Sequence, residues 1–507
     1  MIDTDVIIVG AGPTGLALAC QLIRYGVNFV IIDKKGSTTP FSRAIGVQAR
    51  TLEIYEQIGL ANKLIALGKP AEKVRMIEGG VVRGEAILKD IGTGLSAYPF
   101  MLIVEQGMHE ALLYEHIRSH GRDVDWQTEL TSFTQDIDGV TAIIQGADGQ
   151  PKTIKAKYLV GCDGAKSFVR HSLGLTFEGD TVDRMFYVAD VQIDWQFSHD
   201  ALQICLAKHT ITAFFPMVGD NRYRIVGTFP EGYDGDEGDV LFQEIERQIQ
   251  ADTEIKLAIS NVNWFSVYKV HSRAVNKFSE GRCFVAGDAA HIHTPAGGQG
   301  MNTGIQDGYN LAWKLALACQ GRSGSALLET YNEERLPNAH RLLQTTDRLF
   351  EFGASDDWLI SYIRTHIFPH VIGFALGLDI VKNALFPLVS QIGISYRESS
   401  LSDNDADFAV QAGDRMPYFR VGPSIYDSLR APKFHLMTFG GDGAGRLADE
   451  FRDIVDTHTL PLTDDILEHF GAEGPFMVLL RPDNYIGMIT SEISAEAAAD
   501  YLRAILE

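Results

Sequence analysis

The first residues of the chain alternate short apolar runs with a glycine-rich turn and a helix-spaced apolar pattern. Val6–Val9 predicts a strand, Gly10–Gly15 a turn, Leu16–Tyr25 a helix and Phe29–Ile32 a second strand. The order strand, helix, strand predicts a βαβ unit and therefore a parallel sheet.

The pattern of apolar residues changes twice farther along the chain. From 186 to 267, short aromatic-rich strands such as Thr212–Pro216 are separated by polar turns, which predicts a mostly antiparallel sheet. Helical spacing dominates from Gly304 to about Ile394, and the polar, acidic stretch Ser399–Asp407 predicts a linker. Beyond it, strand and helix patterns alternate, which predicts a small α/β domain.

Length, charge and cysteine use narrow the class of protein. The 507 residues exceed what one hydrophobic core holds together, so we expect two or three domains. The net charge of −22 excludes a general affinity for nucleic acid or anionic membranes, because an acidic surface repels phosphates. Five cysteines without metal-ligand spacing indicate free thiols in a reducing compartment. Charges and prolines interrupt the apolar stretch Ile367–Ile394, and no signal peptide is recognisable, so we expect a cytoplasmic protein without a membrane span.

The glycine turn has the spacing of a dinucleotide-binding motif. In Gly10-Ala11-Gly12-Pro13-Thr14-Gly15 the first glycine allows the tight turn, the second the approach of a pyrophosphate, and the third close helix–strand packing. The helix that follows adds a partial positive charge at its start. The second strand ends at Asp33, whose carboxylate can accept a hydrogen bond from an adenosine ribose, and Lys34 beside it is a further candidate. A purely structural turn is the alternative.

Two later motifs favour FAD over NAD as the dinucleotide. Tyr158–Gly164 and Cys283–Asp288 each end a short apolar strand with a glycine and an aspartate, Asp163 and Asp288. A carboxylate at the end of a sheet strand, beside a glycine, suits a polyol chain such as the ribityl group of FAD. Either pair taken alone is also typical of an ordinary turn.

A third segment suits the flavin ring itself. His291–Asn302 contains Gly297, Gly298 and Gly300 directly before a helix. The free N–H groups and the positive end of the helix dipole would stabilise the N1–C2=O edge of the ring when reduction makes it anionic. His291 and His293 lack metal-ligand companions, so packing of this loop is the favoured interpretation.

Together these residues resemble the single-component FAD-dependent aromatic hydroxylases, the group that contains para-hydroxybenzoate hydroxylase and phenol hydroxylase. The resemblance rests on Gly281–His291, Gly298–Asn302 and Trp313–Leu315, and it covers nearly the whole chain. Leu480–Ile486 resembles the thioredoxin-like domain of phenol hydroxylase and of polyketide-tailoring hydroxylases. That region contains no cysteine here, so it cannot perform disulfide chemistry and a packing or assembly role is expected.

Pattern and resemblance together predict an α/β fold in three parts. These are a Rossmann-like FAD-binding domain, an inserted, mostly antiparallel β-sheet domain for the substrate, and a C-terminal thioredoxin-like domain. The expected boundaries are 1–75, 100–180 and 275–398 for the discontinuous FAD-binding domain, including a helical region at 304–398; 76–99 and 181–274 for the substrate domain; and 408–507 for the last domain.

The resemblance also implies roles for individual residues. Asp33 would bind the adenosine ribose, Arg43 the pyrophosphate, Gln106 the ribityl–phosphate region, Asp288 the ribityl chain, Asp163 both FAD and NAD(P)H, Pro295 the face of the flavin ring, and Gly300, Met301 and Asn302 its pyrimidine edge. For Arg43 and Gln106 a surface salt bridge and a helix cap are open alternatives.

The implied reaction is the hydroxylation of a phenolic or polycyclic aromatic compound. NAD(P)H would reduce the bound FAD and leave, and dioxygen would add to the reduced flavin as a C4a-hydroperoxide that transfers OH to the ring. The protein has to keep that group dry and oriented. No second nucleotide fingerprint is expected for NAD(P)H, and Gly441–Arg446, which imitates one, has its third glycine one position early.

The substrate is expected between the aromatic-rich sheet and the flavin. Tyr187, Phe214, Phe215 and Tyr268 are the candidate lining residues, and Tyr268 is the candidate that helps to deprotonate a phenol. Ordinary sheet core is an open alternative for each of them.

Two other functions and the oligomeric state stay open. A related enzyme would use the same chemistry for Baeyer–Villiger oxidation or epoxidation, and a flavin-binding protein would hold a ligand without turnover. The expected partners are a small aromatic substrate and dioxygen, and a homo-oligomer is compatible with the sequence.

Overall fold

A computed structural model gives the structure of most of the chain. It describes residues 2–40, 44–207, 210–230, 233, 240–354, 378–404, 407–419, 427, 429–441 and 451–506. Arg43 and most of Gly441–Arg446 lie outside the described residues, as does 355–377 of the predicted helical region.

The strands of the described residues belong to four sheets. In chain order they are β1 (Thr4–Val9), β2 (Phe29–Asp33), β3 (Gly46–Val47), β4 (Lys69–Pro70), β5 (Lys73–Glu78), β6 (Val81–Ile87), β7 (Leu102–Ile103), β8 (Asp125–Trp126), β9 (Glu129–Gln135), β10 (Val140–Gln145), β11 (Pro151–Gly161), β12 (Phe177–Trp195), β13 (Ala201–Leu206), β14 (Ile211–Pro216), β15 (Arg222–Thr228), β16 (Leu257–Val275), β17 (Ser279–Glu280), β18 (Cys283–Val285), β19 (His291–Ile292), β20 (Asp403–Asn404), β21 (Phe434–Phe439), β22 (Val455–Leu460), β23 (Phe476–Leu480) and β24 (Ile486–Thr490).

The described residues also form helices. They are α1 (Pro13–Arg24), α2 (Ala49–Glu56), α3 (Ala61–Leu67), α4 (Gln106–Ser119), α5 (Phe168–Ser172), α6 (Phe242–Thr253), α7 (Gly300–Cys319), α8 (Ser325–Ala354), α9 (Asp379–Ser390), α10 (Asp464–Phe470) and α11 (Ala495–Leu506), with short 3-10 turns at Gly287–Ala289 and Ala296–Gly298. Within the described ranges, no helix combines the length and the apolar character needed to cross a membrane.

The first sheet confirms the predicted βαβ unit. Its order is β17-β18-β11-β1-β2-β8, and β1 pairs in parallel with both β2 and β11, while β11 pairs in parallel with β18. The carboxyl ends of these four strands therefore meet at one edge, where the glycine turn and the three strand-end aspartates lie. Helix α1 begins at Pro13 rather than at Leu16, because the fixed φ of proline suits the first turn of a helix.

The second sheet is mostly antiparallel, as predicted, with the order β19-β16-β12-β15-β14-β13-β5-β6. One face packs against α6 around a core that includes Ala189, Ile225 and Ile249. Strand β5 begins at Lys73, slightly before the predicted boundary at 76, and β19 brings the segment after Asp288 to the sheet edge. The division into domains stays a prediction.

The third sheet, β20-β24-β23-β21-β22, forms the C-terminal α/β layer with α10 and α11. Strand β20 lies within the stretch that was predicted to be a linker. It forms a strand because its backbone pairs with β24, and both of its side chains are exposed, so the sequence carried no apolar pattern there. A buried ionic cluster joins this layer to α8: Arg481 donates to Glu334 and to Asp483, and all three side chains are fully buried.

Candidate functional site

The three glycines of the first turn differ in what surrounds them. A Cβ at Gly10, where φ is +106°, would overlap the carbonyl of Cys162, and a Cβ at Gly15 would overlap the carbonyl of Gly10. These two glycines are therefore required by close packing. A Cβ at Gly12 would meet no protein atom within 4 Å. The second glycine thus leaves open space beside the start of α1.

The start of α1 is suited to an anion. Gly12 is its N-cap and supplies no side-chain hydrogen bond, and no acidic residue lies in the first turn. The first backbone N–H groups of the helix, with the positive end of its dipole, are thus available to a ligand in the space at Gly12. A pyrophosphate fits this donor set.

Asp33 fixes the same turn from the end of β2. Its Oδ2 accepts a hydrogen bond from the N–H of Ala11 at 2.7 Å, and its Oδ1 accepts one from the N–H of Lys35 at 2.8 Å. A carboxylate oxygen can accept more than one hydrogen bond, so the group keeps capacity for a ribose hydroxyl. Lys34 is exposed beside it.

The three predicted segments converge at Thr14. A Cβ at Gly287 or at Gly304 would overlap Thr14 Oγ1, and a Cβ at Gly308 would lie 3.2 Å from Leu18 Cβ. Helix α7 therefore crosses α1 at the glycines, and the Gly287 turn is wedged against the same threonine. This packing brings the phosphate turn, the second Gly–Asp motif and the start of α7 together.

Asn302 fastens the loop before α7 to the segment before α2. Its Nδ2 donates to the carbonyls of Gly46 at 2.9 Å and Gly298 at 3.0 Å, while its Oδ1 accepts from Gln48 N–H at 2.9 Å and Thr51 Oγ1 at 2.8 Å. The side chain is thus occupied within the protein. Any contact of residue 302 with a ligand would come from its backbone.

The rest of this loop has the character expected of a ring-binding segment. Helix α7 begins at Gly300 with no side-chain cap and no acidic residue in its first turn. A Cβ at Gly298, where φ is +61°, would meet no atom within 4 Å, and Pro295 and Met301 are half-buried. The loop therefore offers free backbone donors and open space, as the α1 turn does.

The other predicted cofactor residues differ in how the protein uses them. Asp163 accepts hydrogen bonds from Ser167 Oγ at 2.5 Å and from Val169 N–H at 3.1 Å. These bonds stabilise the turn at the start of α5. Asp288 is exposed at the strand-end edge. Gln106 opens α4 and accepts from the N–H of Ala44 at 3.2 Å, which ties the helix to the segment next to Arg43. The cofactor contacts of these residues stay predictions.

Asp307 is a buried residue of the site that the sequence did not reveal. Its Oδ2 accepts from Gly287 N–H at 2.9 Å and from His291 Nε2 at 2.7 Å, and its Oδ1 accepts from Arg335 Nε at 2.7 Å. Burial alone would raise the pKa of this carboxyl, but Arg335 and His291 outweigh it and hold the pKa below its ordinary value. An aspartate within a helical pattern gives no signal of this kind, because it resembles a solvent-facing position.

The candidate substrate residues lie on two opposite faces of the second sheet. Tyr187 and Phe214 are 1% and 0% exposed in the core against α6, where the Tyr187 hydroxyl lies 3.0 Å from Thr212 Oγ1. They are sheet core, the alternative that the sequence left open. Successive side chains of a strand point to opposite faces, so Phe215 lies on the other face, and Tyr268 joins it there. Sequence alone could not separate the faces, because both are apolar.

On the face that carries Phe215 and Tyr268, Arg224 reaches the segment before β3. Arg224 is fully buried there, donates to both oxygens of Asp190 at 2.7 Å, and donates to the carbonyl of Ala44 at 3.1 Å. Its guanidinium lies 5.6 Å from the ring centroid of Trp264. Several apolar side chains on this face are only half-buried, namely Phe215, Val226, Trp264 and Tyr268.

The fold and the site define a flavin-binding oxidoreductase. The phosphate turn at the end of β1 and the ring-binding loop before α7 come together where Gly287 and Gly304 pack against Thr14, and Arg224 joins the half-buried sheet face to Ala44.

Comparisons with known proteins give the family. The family model described as "FAD binding domain" matches residues 3–346. The chain is 32% identical to a flavin-dependent monooxygenase of Mycobacteroides abscessus, over 99% of this chain and 100% of that protein. It is also 32% identical to 6-methylpretetramide 4-monooxygenase of Streptomyces rimosus, over 95% and 90% of the two chains, and 28% identical to pentachlorophenol 4-monooxygenase of Sphingobium chlorophenolicum, over 96% and 93%.

Solved structures agree along the whole length. The anhydrotetracycline hydroxylase OxyS from Streptomyces rimosus is 28% identical with a TM-score of 0.78, covering 99% of both chains. CabE, an aromatic hydroxylase from angucycline biosynthesis, is 29% identical with a TM-score of 0.79, covering 100% of both. The chain belongs to the FAD binding domain family; it is a flavin-dependent monooxygenase, and FAD is its cofactor.

Proposed function

We propose that the chain hydroxylates a phenolic or polycyclic aromatic compound, with NAD(P)H as reductant and dioxygen as oxidant. The observation that supports this most directly is the half-buried apolar face with Phe215, Trp264 and Tyr268, which Arg224 joins to Ala44 of the cofactor domain. An aromatic ring lying on this face would stand between the sheet and the flavin loop. The names of two relatives, which specify pentachlorophenol and 6-methylpretetramide, agree with a substrate of this class.

The first task of the protein is to hold the cofactor. When bound, FAD supplies hydride acceptance and the activation of dioxygen. The N–H groups at the start of α1 would bind the pyrophosphate, Asp33 the ribose, and the backbone at the start of α7 the negative charge at the pyrimidine edge of the ring. Asn302 holds the α7 loop in place through its four hydrogen bonds.

The second task is to hold the substrate in a dry pocket. Apolar side chains on the open sheet face exclude water, which would otherwise divert the reaction to hydrogen peroxide. The Phe186 and Tyr268 rings stack at 6.0 Å between centroids, so the Tyr268 ring is fixed on this face. Its hydroxyl remains our candidate for accepting or relaying the phenolic proton.

Substrate-dependent turnover tests this function. We would measure NADH and NADPH oxidation by the FAD-loaded enzyme with a panel of phenols and polycyclic phenols, and identify products by mass spectrometry. Stimulated oxidation together with a product that gains one oxygen atom on the ring supports the proposal. A lactone or epoxide as sole product would favour the related oxidations, and binding of aromatics without any stimulation would favour a ligand-binding protein.

A further inference from the structure

Asp307 connects two parts of the FAD site that are separate in the sequence. A single buried oxygen, Oδ2, accepts both the Gly287 N–H and the His291 Nε2–H, and Oδ1 accepts from Arg335. We propose that Asp307 is a positioning residue of the FAD site: its carboxylate sets the place of the Gly287 turn and of the beginning of the flavin loop. It acts through these residues and needs no contact with the cofactor.

The first of the two connected parts leaves little room for movement. Gly287 directly precedes Asp288, and any side-chain carbon at Gly287 would overlap Thr14 Oγ1 at the start of α1. The N–H held by Asp307 therefore fixes a backbone turn that is wedged against the phosphate-binding helix. A shift of this turn would move Asp288 and disturb the spacing to α1 together.

The second connected part leads into the ring-binding loop. His291 begins β19, which pairs with Ala274 of the second sheet, and the chain continues from there to Pro295. With its ring held by Asp307, His291 fixes the end of this loop that is nearest to the sheet. The opposite end is held by Asn302, so the loop is fastened on both sides.

Arg335 on α8 pairs with the Asp307 carboxylate and stabilises its negative charge. Arg335 donates to Asp307 and also to Tyr396 Oη at 2.7 Å and the Thr303 carbonyl at 3.3 Å, and both members of the pair are fully buried. A buried charge is retained only when it is paired. An amide at position 307 has one oxygen for three donors, so at least one of the Gly287, His291 and Arg335 bonds would be lost.

The chain offers a matched control for the burial of charge. Asp483 is equally buried and accepts from Arg481 Nη2 at 2.6 Å and Trp313 Nε1 at 3.1 Å. It belongs to the ionic cluster between α8 and the C-terminal layer and holds no part of the FAD site. Asp307→Asn and Asp483→Asn therefore remove the same charge from equally buried positions.

Titration of each apoprotein with FAD, measured by flavin fluorescence, gives the FAD affinity and tests the proposal. The midpoint of thermal unfolding of each apoprotein measures stability separately. We expect Asp307→Asn to weaken FAD binding roughly tenfold to a hundredfold. We expect Asp483→Asn to change FAD binding by less than about twofold, although both variants unfold at lower temperature. Equal effects of the two variants on FAD affinity would overturn the proposal, because Asp307 would then be structural only.

A second variant covers the case in which Asp307→Asn does not fold. Asp307→Leu combined with Arg335→Met removes both charges and leaves the Gly287 N–H and His291 Nε2 without their acceptor. We expect it to fold and still to bind FAD at least about tenfold more weakly than the wild type. Tight FAD binding by the double variant, or its failure to fold, would contradict the proposal. This test needs no aromatic substrate. If the wild-type protein binds FAD but hydroxylates no compound, the proposed function is wrong, whereas the role of Asp307 is still decided by the FAD affinities.

Discussion

Thr14 and Gly304 are in direct contact where helices α1 and α7 cross, with no room for a side-chain carbon on the glycine. Helix α1 begins at the phosphate turn and α7 begins at the ring-binding loop. The closeness of this crossing therefore sets the distance between the two halves of the cofactor site.

Gly304→Ala should push the two helices apart. Because the new methyl group would overlap Thr14 Oγ1, we expect a loss of about 1–3 kcal/mol in the free energy of unfolding, as for other overpacked sites, and weaker FAD binding. Chemical denaturation of the apoprotein and FAD titration measure the two effects. Gly474→Ala is the control, since a Cβ there meets no atom within 4 Å. Wild-type values for Gly304→Ala would show that the crossing does not set the site.

Asp33→Asn should loosen the phosphate turn and weaken FAD binding. An amide has only one acceptor oxygen for the two backbone donors, so we expect a loss of about 1–3 kcal/mol in FAD binding free energy. The control is Asp136→Asn, which removes the same charge from an exposed aspartate whose Oδ1 alone accepts from the N–H groups of Asp138 and Gly139, so that an amide can keep both bonds. If both variants bind FAD like the wild type, Asp33 has no part in cofactor binding.

Tyr268→Phe and Tyr187→Phe separate the two faces of the second sheet. If Tyr268 handles the phenolic proton, its replacement should lower kcat by roughly a hundredfold and change the dependence of kcat on pH. Tyr187→Phe removes a buried hydrogen bond to Thr212, so it should cost about 1 kcal/mol of stability and leave kcat and KM unchanged. Steady-state kinetics across pH with the best substrate measures this. A kinetic effect of Tyr187→Phe alone would indicate that the substrate binds on the Tyr187 face of the sheet, which contradicts our placement of it on the Tyr268 face.

Acid sensitivity should come partly from buried neutral histidines. Burial lowers the pKa of His109 from 6.5 to about 4, so the unfolded chain takes up a proton that the native state refuses. The stability contributed by this residue is complete above pH 6.5 and is lost as the pH falls toward 4, by an amount on the order of 3 kcal/mol. His293 and His435, whose pKa burial also lowers to about 4, act in the same direction.

His109→Gln should therefore flatten the dependence of unfolding free energy on pH between 6.5 and 4. Exposed His340→Gln is the control and should leave that dependence as in the wild type. Denaturant unfolding at several pH values compares the slopes. Parallel curves for wild type and His109→Gln would rule out this contribution.

The sequence predicted the parts of the site that depend on local chemistry. The turn Gly10–Gly15 needs glycines at fixed spacing, and its position between a strand and a helix follows from the apolar pattern. Parallel strands align their carboxyl ends, so placing Asp33 at the end of β2 was enough to bring it to the turn.

Tertiary pairing accounts for what the sequence could not predict. Asp190 and Arg224 look like surface charges until the strands β12 and β15 set them opposite each other and bury them. Asp307 likewise depends on three partners that are distant in the chain. The strand β20 exists only because β24 offers it a backbone partner, and its polar side chains carry no strand signal.

The most direct test of the account is FAD titration of the Gly12→Ala apoprotein beside the wild type and Gly474→Ala. The Gly12 backbone has an ordinary φ of −84° and a Cβ there meets no protein atom, so the variant should keep the fold, with a loss of at most about 1 kcal/mol in the free energy of unfolding from alanine at the N-cap. The methyl group would occupy the space assigned to the pyrophosphate, and we expect FAD binding to weaken by at least about tenfold while Gly474→Ala binds normally. Unchanged FAD affinity in Gly12→Ala would contradict the placement of the cofactor at the start of α1.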